Sequence, residues 1–227
     1  MITKQDVIIL LQSKARPDQL AGMKRYGMNV ENRLGIAIPE LRKIARQIGR
    51  NHELVQKLWH TGIAEARILA SMIASPIEFS EVQMDAWAAD FDSWDVCDQV
   101  CMNLFEKSPL AWQKVVAWSS REEEFVRRAA YALLACLAWH DKKAPDEDFI
   151  RLVPVIRAGE SDERKMVMKA VSWALRNIGK RNPQLHQVAL QTATEMLSSL
   201  SKSARWIGRD TLRDLNSQAT ERRLAKM

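Results

Sequence analysis

The sequence predicts an all-α solenoid of antiparallel helix pairs. Two observations carry that prediction. Apolar residues recur at three- and four-residue spacing almost throughout the 227 residues, and strand signals are nearly absent. The chain also repeats itself. "VRRAAYALL" at 126–134 and "VMKAVSWAL" at 167–175 align without gaps at a 41-residue shift, matching Val126 to Val167, Arg128 to Lys169, Ala129 to Ala170 and Leu134 to Leu175. "EARILASMI" at 65–73 is a weaker echo. A period near 40 with two helices per unit is the signature of a HEAT-like α-solenoid, in which each pair buries its face against its neighbours.

Taken in order, the periodicity places helices near 3–14, 17–27, 38–49, 52–60, 63–74, 79–91, 93–107, 109–118, 121–140, 146–158, 162–180, 183–199, 202–215 and 217–225. Pro39, Pro109 and Pro183 stand where a first helical turn tolerates a missing N–H. Gly49, Gly62 and Gly159 stand where helices should stop. Residues 1–50 read as N-terminal capping helices. Five helix pairs follow within 52–215 (52–74, 79–107, 109–140, 146–180 and 183–215), and 217–227 reads as a C-terminal tail helix. With no long linker, one domain over 1–227 is expected, curved so that the second helices line a basic concave face.

Composition narrows the class. No run of 18 apolar residues occurs, so no transmembrane helix is expected. "MITKQDVIILLQSKARPDQ" has charges on both sides of a short apolar patch and no small-residue cleavage site, which reads as a mature cytoplasmic terminus. A bacterial owner would make the protein nucleoid-associated. Cys97, Cys101 and Cys136 form an odd set without CxxC spacing, so neither a disulfide framework nor a zinc site is expected. The four histidines are scattered, and there is no Walker loop, HExxH or nucleophile elbow. No metal and no cofactor are therefore expected. A net charge of +6 and a pI near 9.3 suit a polyanionic partner, and eight tryptophans in so helical a chain suit recognition surfaces.

Wheels at about 100° per residue separate core from non-core positions. In 162–180, Val167, Val171, Ala174, Leu175 and Ile178 cluster, and Trp173 falls roughly opposite them with Lys169, Arg176 and Lys180. In 121–140, Arg128 lies opposite the core side beside Ala132, Ala135 and Trp139, one repeat from Lys169, which draws a basic line across the stack. In "FDSWDVCDQV" at 91–100, Asp92 or Ser93 suits an N-cap and Asp95 suits the helix dipole. Trp94 and Asp98 sit one turn apart at the edge of the core side, past the point where the dipole explains an aspartate. An aspartate beside an indole facing a basic groove suits a cationic reaction centre; the plainer reading is a carboxylate paired with Arg128 or another cation. Further basic stripes run through Arg42, Arg46 and Arg50, and through Lys202, Arg205, Arg209 and Arg213 with Trp206 among them, as an electrostatic track for a phosphate backbone would.

On "SWDVCD" at 93–98, "FVRRAAYALL" at 125–134 and "VSWALRNIGKRNP" at 171–183, the chain resembles the DNA alkylation repair family of HEAT-like DNA glycosylases, the AlkD-like proteins. The likeness runs from about residue 20 to the C-terminus. It places Asp98 on the family's catalytic aspartate, Trp94 and Trp173 on its cleft tryptophans and Arg128 on its cleft arginine. "RYGMNVENRLGIAIPELRK" at 25–43 resembles the N-terminal segment, with Tyr26 on its tyrosine. Three features depart: Ser93 stands in place of the first tryptophan of a tandem pair, Ile38 stands where a polar residue is usual, and "SARWIGRDTLRDL" is Arg-rich.

The resemblance implies excision of N3- or N7-alkylated purines from duplex DNA, without base flipping, leaving an abasic site; a monomer is expected. An alkylated purine is already cationic and needs no general acid. Asp98 would stabilise the oxocarbenium-like sugar and orient water. Trp94 and Trp173 would contact the sugar and backbone. Arg128, Lys169, Arg176 and Lys180 would hold phosphates, joined by Tyr26, Arg42, Arg46, Arg205 and Arg209 in binding DNA. A non-catalytic HEAT-repeat protein that binds damaged or branched DNA shares every feature but the role of Asp98, and a protein-binding solenoid remains a third reading.

Overall fold

The computed structural model describes residues 2–226, so Met1 and Met227, the outermost positions of the expected capping and tail segments, lie outside the described residues. Its helices are α1 (Lys4–Ser13), α2 (Leu20–Arg25), α3 (Ile38–Ile48), α4 (His52–Trp59), α5 (Ala64–Ile73), α6 (Glu81–Ala89), α7 (Trp94–Asn103), α8 (Ala111–Ser119), α9 (Glu124–His140), α10 (Asp146–Ile150), α11 (Val153–Ala158), α12 (Lys165–Gly179), α13 (Pro183–Leu197), α14 (Lys202–Leu215) and α15 (Gln218–Leu224). No strand occurs among the described residues. None of these helices is long and apolar enough to cross a membrane. The packing groups them into two compact units, residues 1–110 and 111–227.

In the first unit the helices form two layers. Helix α5 packs on α4, and also between α3 and α7. Helix α7, expected to pair with α6, packs chiefly on α5. The aromatic side chains explain this. Trp87 of α6 stacks on Trp59 of α4 at 3.6 Å between ring centroids, which ties the first helices of successive pairs to each other. Asp90 Oδ2 accepts the Trp59 indole N–H at 2.8 Å and Gln56 Oε1 accepts the Trp87 indole N–H at 3.4 Å, so neither ring brings an unsatisfied donor into the core. Local signals set the helix starts: Thr3 with Asp6 and Ser80 with Gln83 form capping boxes, and Asn51 accepts from the Leu54 N–H.

The stretch 26–37 is irregular and runs over α5 and α7. Three of its backbone donors are satisfied by one side chain: the buried Glu65 carboxylate accepts from the N–H groups of Leu34 (2.9 Å), Gly35 (2.7 Å) and Ile36 (3.2 Å). Only glycine suits position 35, where φ is +80° and a Cβ would lie 2.2 Å from the Arg16 carbonyl oxygen.

In the second unit, α8 packs on α9, α11 on α12 and α13 on α14, the pairs expected from the sequence. The second helices α9, α12 and α14 then lie side by side. They run parallel. Arg128 bonds Met166 and Asn177 bonds Ala135, while Ser172 bonds Asp210 and Lys180 pairs with Asp214 of α14. The 41-residue register is visible in the packing, because Val126 and Val167, Ala129 and Ala170, and Leu134 and Leu175 are all buried.

Three expected helices differ in detail. The stretch 146–158 is two helices, broken at Arg151 and Leu152, because Pro154 has no N–H to offer the preceding turn. The stretch 17–27 opens as a 3₁₀ turn, Pro17–Gln19, before α2. The stretch 93–107 breaks at Leu104 and resumes as a 3₁₀ turn, Phe105–Lys107, which sends Phe105 into the core. Ser108 is extended, as the residue before a proline prefers.

Candidate nucleic-acid interface

Helix α7 carries the first group of candidate residues. Ser93 is its N-cap by backbone conformation, yet its side chain makes no capping bond. The hydroxyl instead donates to Asp95 Oδ1 at 2.5 Å and accepts from the Asn29 N–H at 3.1 Å. Asp95 does more than face a helix dipole. Its two oxygens take a bidentate pair from Arg33, Nη1 to Oδ2 at 2.7 Å and Nη2 to Oδ1 at 2.9 Å, with the side chains only 3% and 12% exposed. Arg33 Nε donates to the Asn29 carbonyl at 2.7 Å, and Asn29 Nδ2 donates to Asp92 Oδ2 at 2.9 Å. A planar fork against a carboxylate fixes direction as well as distance. The 29–33 segment is thereby strapped across the first turn of α7.

That strap places two of the expected site residues together. Trp94 Nε1 donates to the Tyr26 carbonyl at 3.2 Å. The Tyr26 side chain is 74% exposed, so it is the backbone of this residue that meets the indole. Asp98 follows Trp94 by one turn, and both are half-buried.

The second unit holds the other group. Arg128 was expected to lie opposite the core. Instead it is only 5% exposed, and its Nη1 donates to the Met166 carbonyl in the first turn of α12 at 2.6 Å. A wheel of α9 alone has no information about α12, which covers that face. Trp173 is half-buried on α12, and Lys169, one turn before it, is exposed. The three cations expected around Trp173 reduce to Lys169, because α14 supplies carboxylates for the rest. Arg176 Nη1 donates to Asp210 at 2.6 Å and its Nε is 3.8 Å from Asp214; Lys180 pairs with Asp214. Asp210 also accepts from the buried Ser172 hydroxyl at 2.7 Å and from Arg213.

The remaining cations fall into two kinds. Arg205 donates to the Ser199 and Leu200 carbonyls, both at 2.8 Å, and so closes the turn between α13 and α14. Arg42 and Arg46 on α3, and Arg209 on α14, are exposed and make no ion pair among the described residues.

The start of α12, which receives Arg128, is fixed by Asp162. Burial pushes its carboxyl up, but hydrogen bonds from Arg164 and Arg127 outweigh that and hold it at about 2. Arg127 Nη1 reaches Asp162 at 3.0 Å and Arg164 Nε reaches it at 2.9 Å. Among the described residues no three His, Cys, Asp or Glu side chains gather closely enough to hold a metal ion.

Arg33, Asn29 and Glu65 were not among the residues singled out from sequence. Their partners lie 29 to 64 positions away, and no local pattern marks them beyond a lone arginine and a glycine in an irregular stretch.

The family model described as DNA alkylation repair enzyme matches residues 7–208. A solved structure described as a new family of proteins related to the HEAT-like repeat DNA glycosylases with affinity for branched DNA structures superimposes with a TM-score of 0.78. It is 20% identical, over 93% of this chain and 95% of that one. A designed armadillo repeat protein in complex with a (KR)4 peptide is 17% identical over 82% of this chain and 79% of that one, with a TM-score of 0.38. No curated protein matches the chain.

Proposed function

We propose, from the premise that this chain belongs to the DNA alkylation repair enzyme family, that it is a DNA glycosylase for positively charged N3- and N7-alkylated purines in duplex DNA. The observation that carries this reading is the Trp94–Asp98 turn: a half-buried carboxylate one turn beyond a half-buried indole, on a helix whose start is strapped by Arg33 and Asp95. A group that stabilises developing charge works best when it is held in place before the charge appears.

In this mechanism the N-glycosidic bond breaks with its electron pair moving onto the base, which neutralises the alkylpurine. Positive charge grows at C1′ of the deoxyribose. Ionised Asp98 stabilises that centre and orients a water whose oxygen forms the new bond to C1′, its proton passing to solvent. Trp94 offers a π-face to the cationic sugar. In the second unit Trp173 contacts the DNA backbone and exposed Lys169 and Arg209 bind phosphates, as exposed Arg42 and Arg46 do in the first. Buried Arg128 acts by holding the first turn of α12. The leaving base carries its own activation, so the reaction needs no cofactor. The test is release of free base from duplex DNA containing N7-methylguanine or N3-methyladenine, with Asp98→Asn as the control.

A second reading has one specific observation behind it. Ser93 replaces the tryptophan that the resemblance leads one to expect, and its hydroxyl is occupied by Asn29 and Asp95. A chain that had exchanged an aromatic sugar contact for a structural bond would keep DNA affinity without excision. Tight binding to a DNA junction with no base release by the unaltered protein would establish that reading.

A further inference from the structure

At the C-terminal end of α9 the second unit carries a basic, aromatic cluster that the residues above do not use. Trp139 is 40% exposed, and no other tryptophan among the described residues is left so open. Arg223 of α15 lies over its ring with Cζ 4.1 Å from the centroid, and Lys142 Nζ is 5.8 Å from it. Arg223 is held there by Nε, which donates to the Lys180 carbonyl at 3.1 Å. Beneath them Arg181 stacks on Phe149 at 4.1 Å and donates to the carbonyls of Ala138 (2.9 Å), Asp141 (2.8 Å) and Ala144 (3.1 Å).

Closing the end of α9 accounts for Arg181, which satisfies carbonyls of the last turn, the C-cap and the following loop. It does not account for the other two cations. Neither Lys142 nor Arg223 pairs with a carboxylate among the described residues. Partial burial, and then the positive charges of Arg181 and Arg223, push the Lys142 ammonium below its ordinary range. Cation–π contacts at exposed sites are individually weak, a small return for crowding like charges around a wet indole. An anion arriving between Lys142 and Arg223 would relieve the repulsion, and the open part of the indole would then pack on whatever carries that anion.

We propose that Trp139, Lys142 and Arg223 form a second contact surface for the sugar–phosphate backbone of DNA. This rests on the reading of the protein as DNA-binding and is independent of base excision. The phosphate takes charge-assisted bonds from the two cations, and deoxyribose packs on the indole. None of these three residues is among those assigned above to the lesion or to its phosphates. Trp139 stands eleven residues beyond Arg128 on α9, about 16 Å along the axis at the helical rise.

The test is fluorescence anisotropy with a labelled linear duplex and a labelled three-way junction at several salt concentrations. Lys142→Glu/Arg223→Glu should weaken binding to the junction at least about tenfold, and the salt dependence should flatten by about two phosphate contacts. A parallel loss on the linear duplex also supports the proposal. If Arg223→Glu disturbs α15, Lys142→Glu alone carries the test, since that side chain is exposed and makes no structural hydrogen bond; about threefold weakening is then expected. Unchanged affinity and salt slope on both probes would overturn the proposal. With labelled polyglutamate as a third probe, a loss confined to it would overturn the proposal too and make this a surface for acidic protein. Base release is measured separately on the same variants. Normal release with weakened junction binding upholds this surface, whereas absent release from the unaltered protein bears only on the glycosylase reading.

Discussion

Removing the Asp95 carboxylate strips Arg33 of its charge partner and of two hydrogen bonds in a site where the guanidinium is 3% exposed. The Nε bond to the Asn29 carbonyl remains, so the side chain keeps one anchor while Nη1 and Nη2 lose their carboxylate. Breaking a buried ion pair from one side costs about 3–5 kcal/mol, because an uncompensated charge is left behind. With one anchor retained, the lower end of that range, about 3 kcal/mol, is expected for Asp95→Ala. At a urea m-value of about 3 kcal/mol/M this lowers the unfolding midpoint by about 1 M. The pair itself has modest net worth, so Arg33→Met/Asp95→Leu should recover most of the loss, and a double-mutant cycle should return a coupling of about 2 kcal/mol or more. Because the strap also fixes the Trp94 turn, Asp95→Ala should slow base release under conditions where the variant is still folded. A midpoint for Asp95→Ala within about 0.2 M of the unaltered protein, or a double variant no more stable than the single one, would refute this account of the strap.

Other outcomes follow from the same contacts. Gly208→Ala gains about 1 kcal/mol of helix propensity but sets a Cβ 2.6 Å from the Ala193 carbonyl oxygen, a backbone atom of α13 that has little freedom to give. Overpacking of about 1–3 kcal/mol should win, and thermal unfolding should show a net loss. Asp162, with its carboxyl lowered to about 2 from 3.8, contributes stability that is present above about pH 4 and lost as pH falls through 2. Asp162→Asn should therefore cost about 1 kcal/mol at neutral pH after solvent screening, and the difference from the unaltered protein should vanish near pH 2 in acid titrations. Lys169→Ala, at an exposed site, should leave stability unchanged and reduce the salt slope of duplex binding by about one contact. Arg128→Ala should instead lower the stability, by about 1–3 kcal/mol, because it takes this donor away from the part-buried Met166 carbonyl; a binding defect with no loss of stability would contradict that assignment.

The helices were legible because their signals are local. Periodicity, Pro183 at the first turn of α13 and the 41-residue echo between α9 and α12 each sit within one or two turns of what they specify. Even the break between α10 and α11 was present as Pro154, but the apolar spacing on either side concealed it. The candidate site was legible only in part. Trp94 and Asp98 share a face because they are four residues apart. The environment of Arg128, Arg176 and Lys180 depends on what the neighbouring second helix presents, and a single-helix wheel cannot hold the Met166 carbonyl or the carboxylates of Asp210 and Asp214. The strap was illegible for the same reason on a larger scale. Arg33 and Asp95 are 62 residues apart, and Asp95 already had a sufficient local explanation as a first-turn acid.

Asp98 is proposed to stabilise charge during excision of a cationic base. The most direct measurement is single-turnover release of N7-methylguanine and N3-methyladenine from duplex DNA by the unaltered protein and by Asp98→Asn. The expected result is release by the unaltered protein and at least about 10²-fold slower release by the variant, with DNA affinity retained. Equal release by both proteins would remove Asp98 from the mechanism, and no release by either would leave a DNA-binding protein without excision.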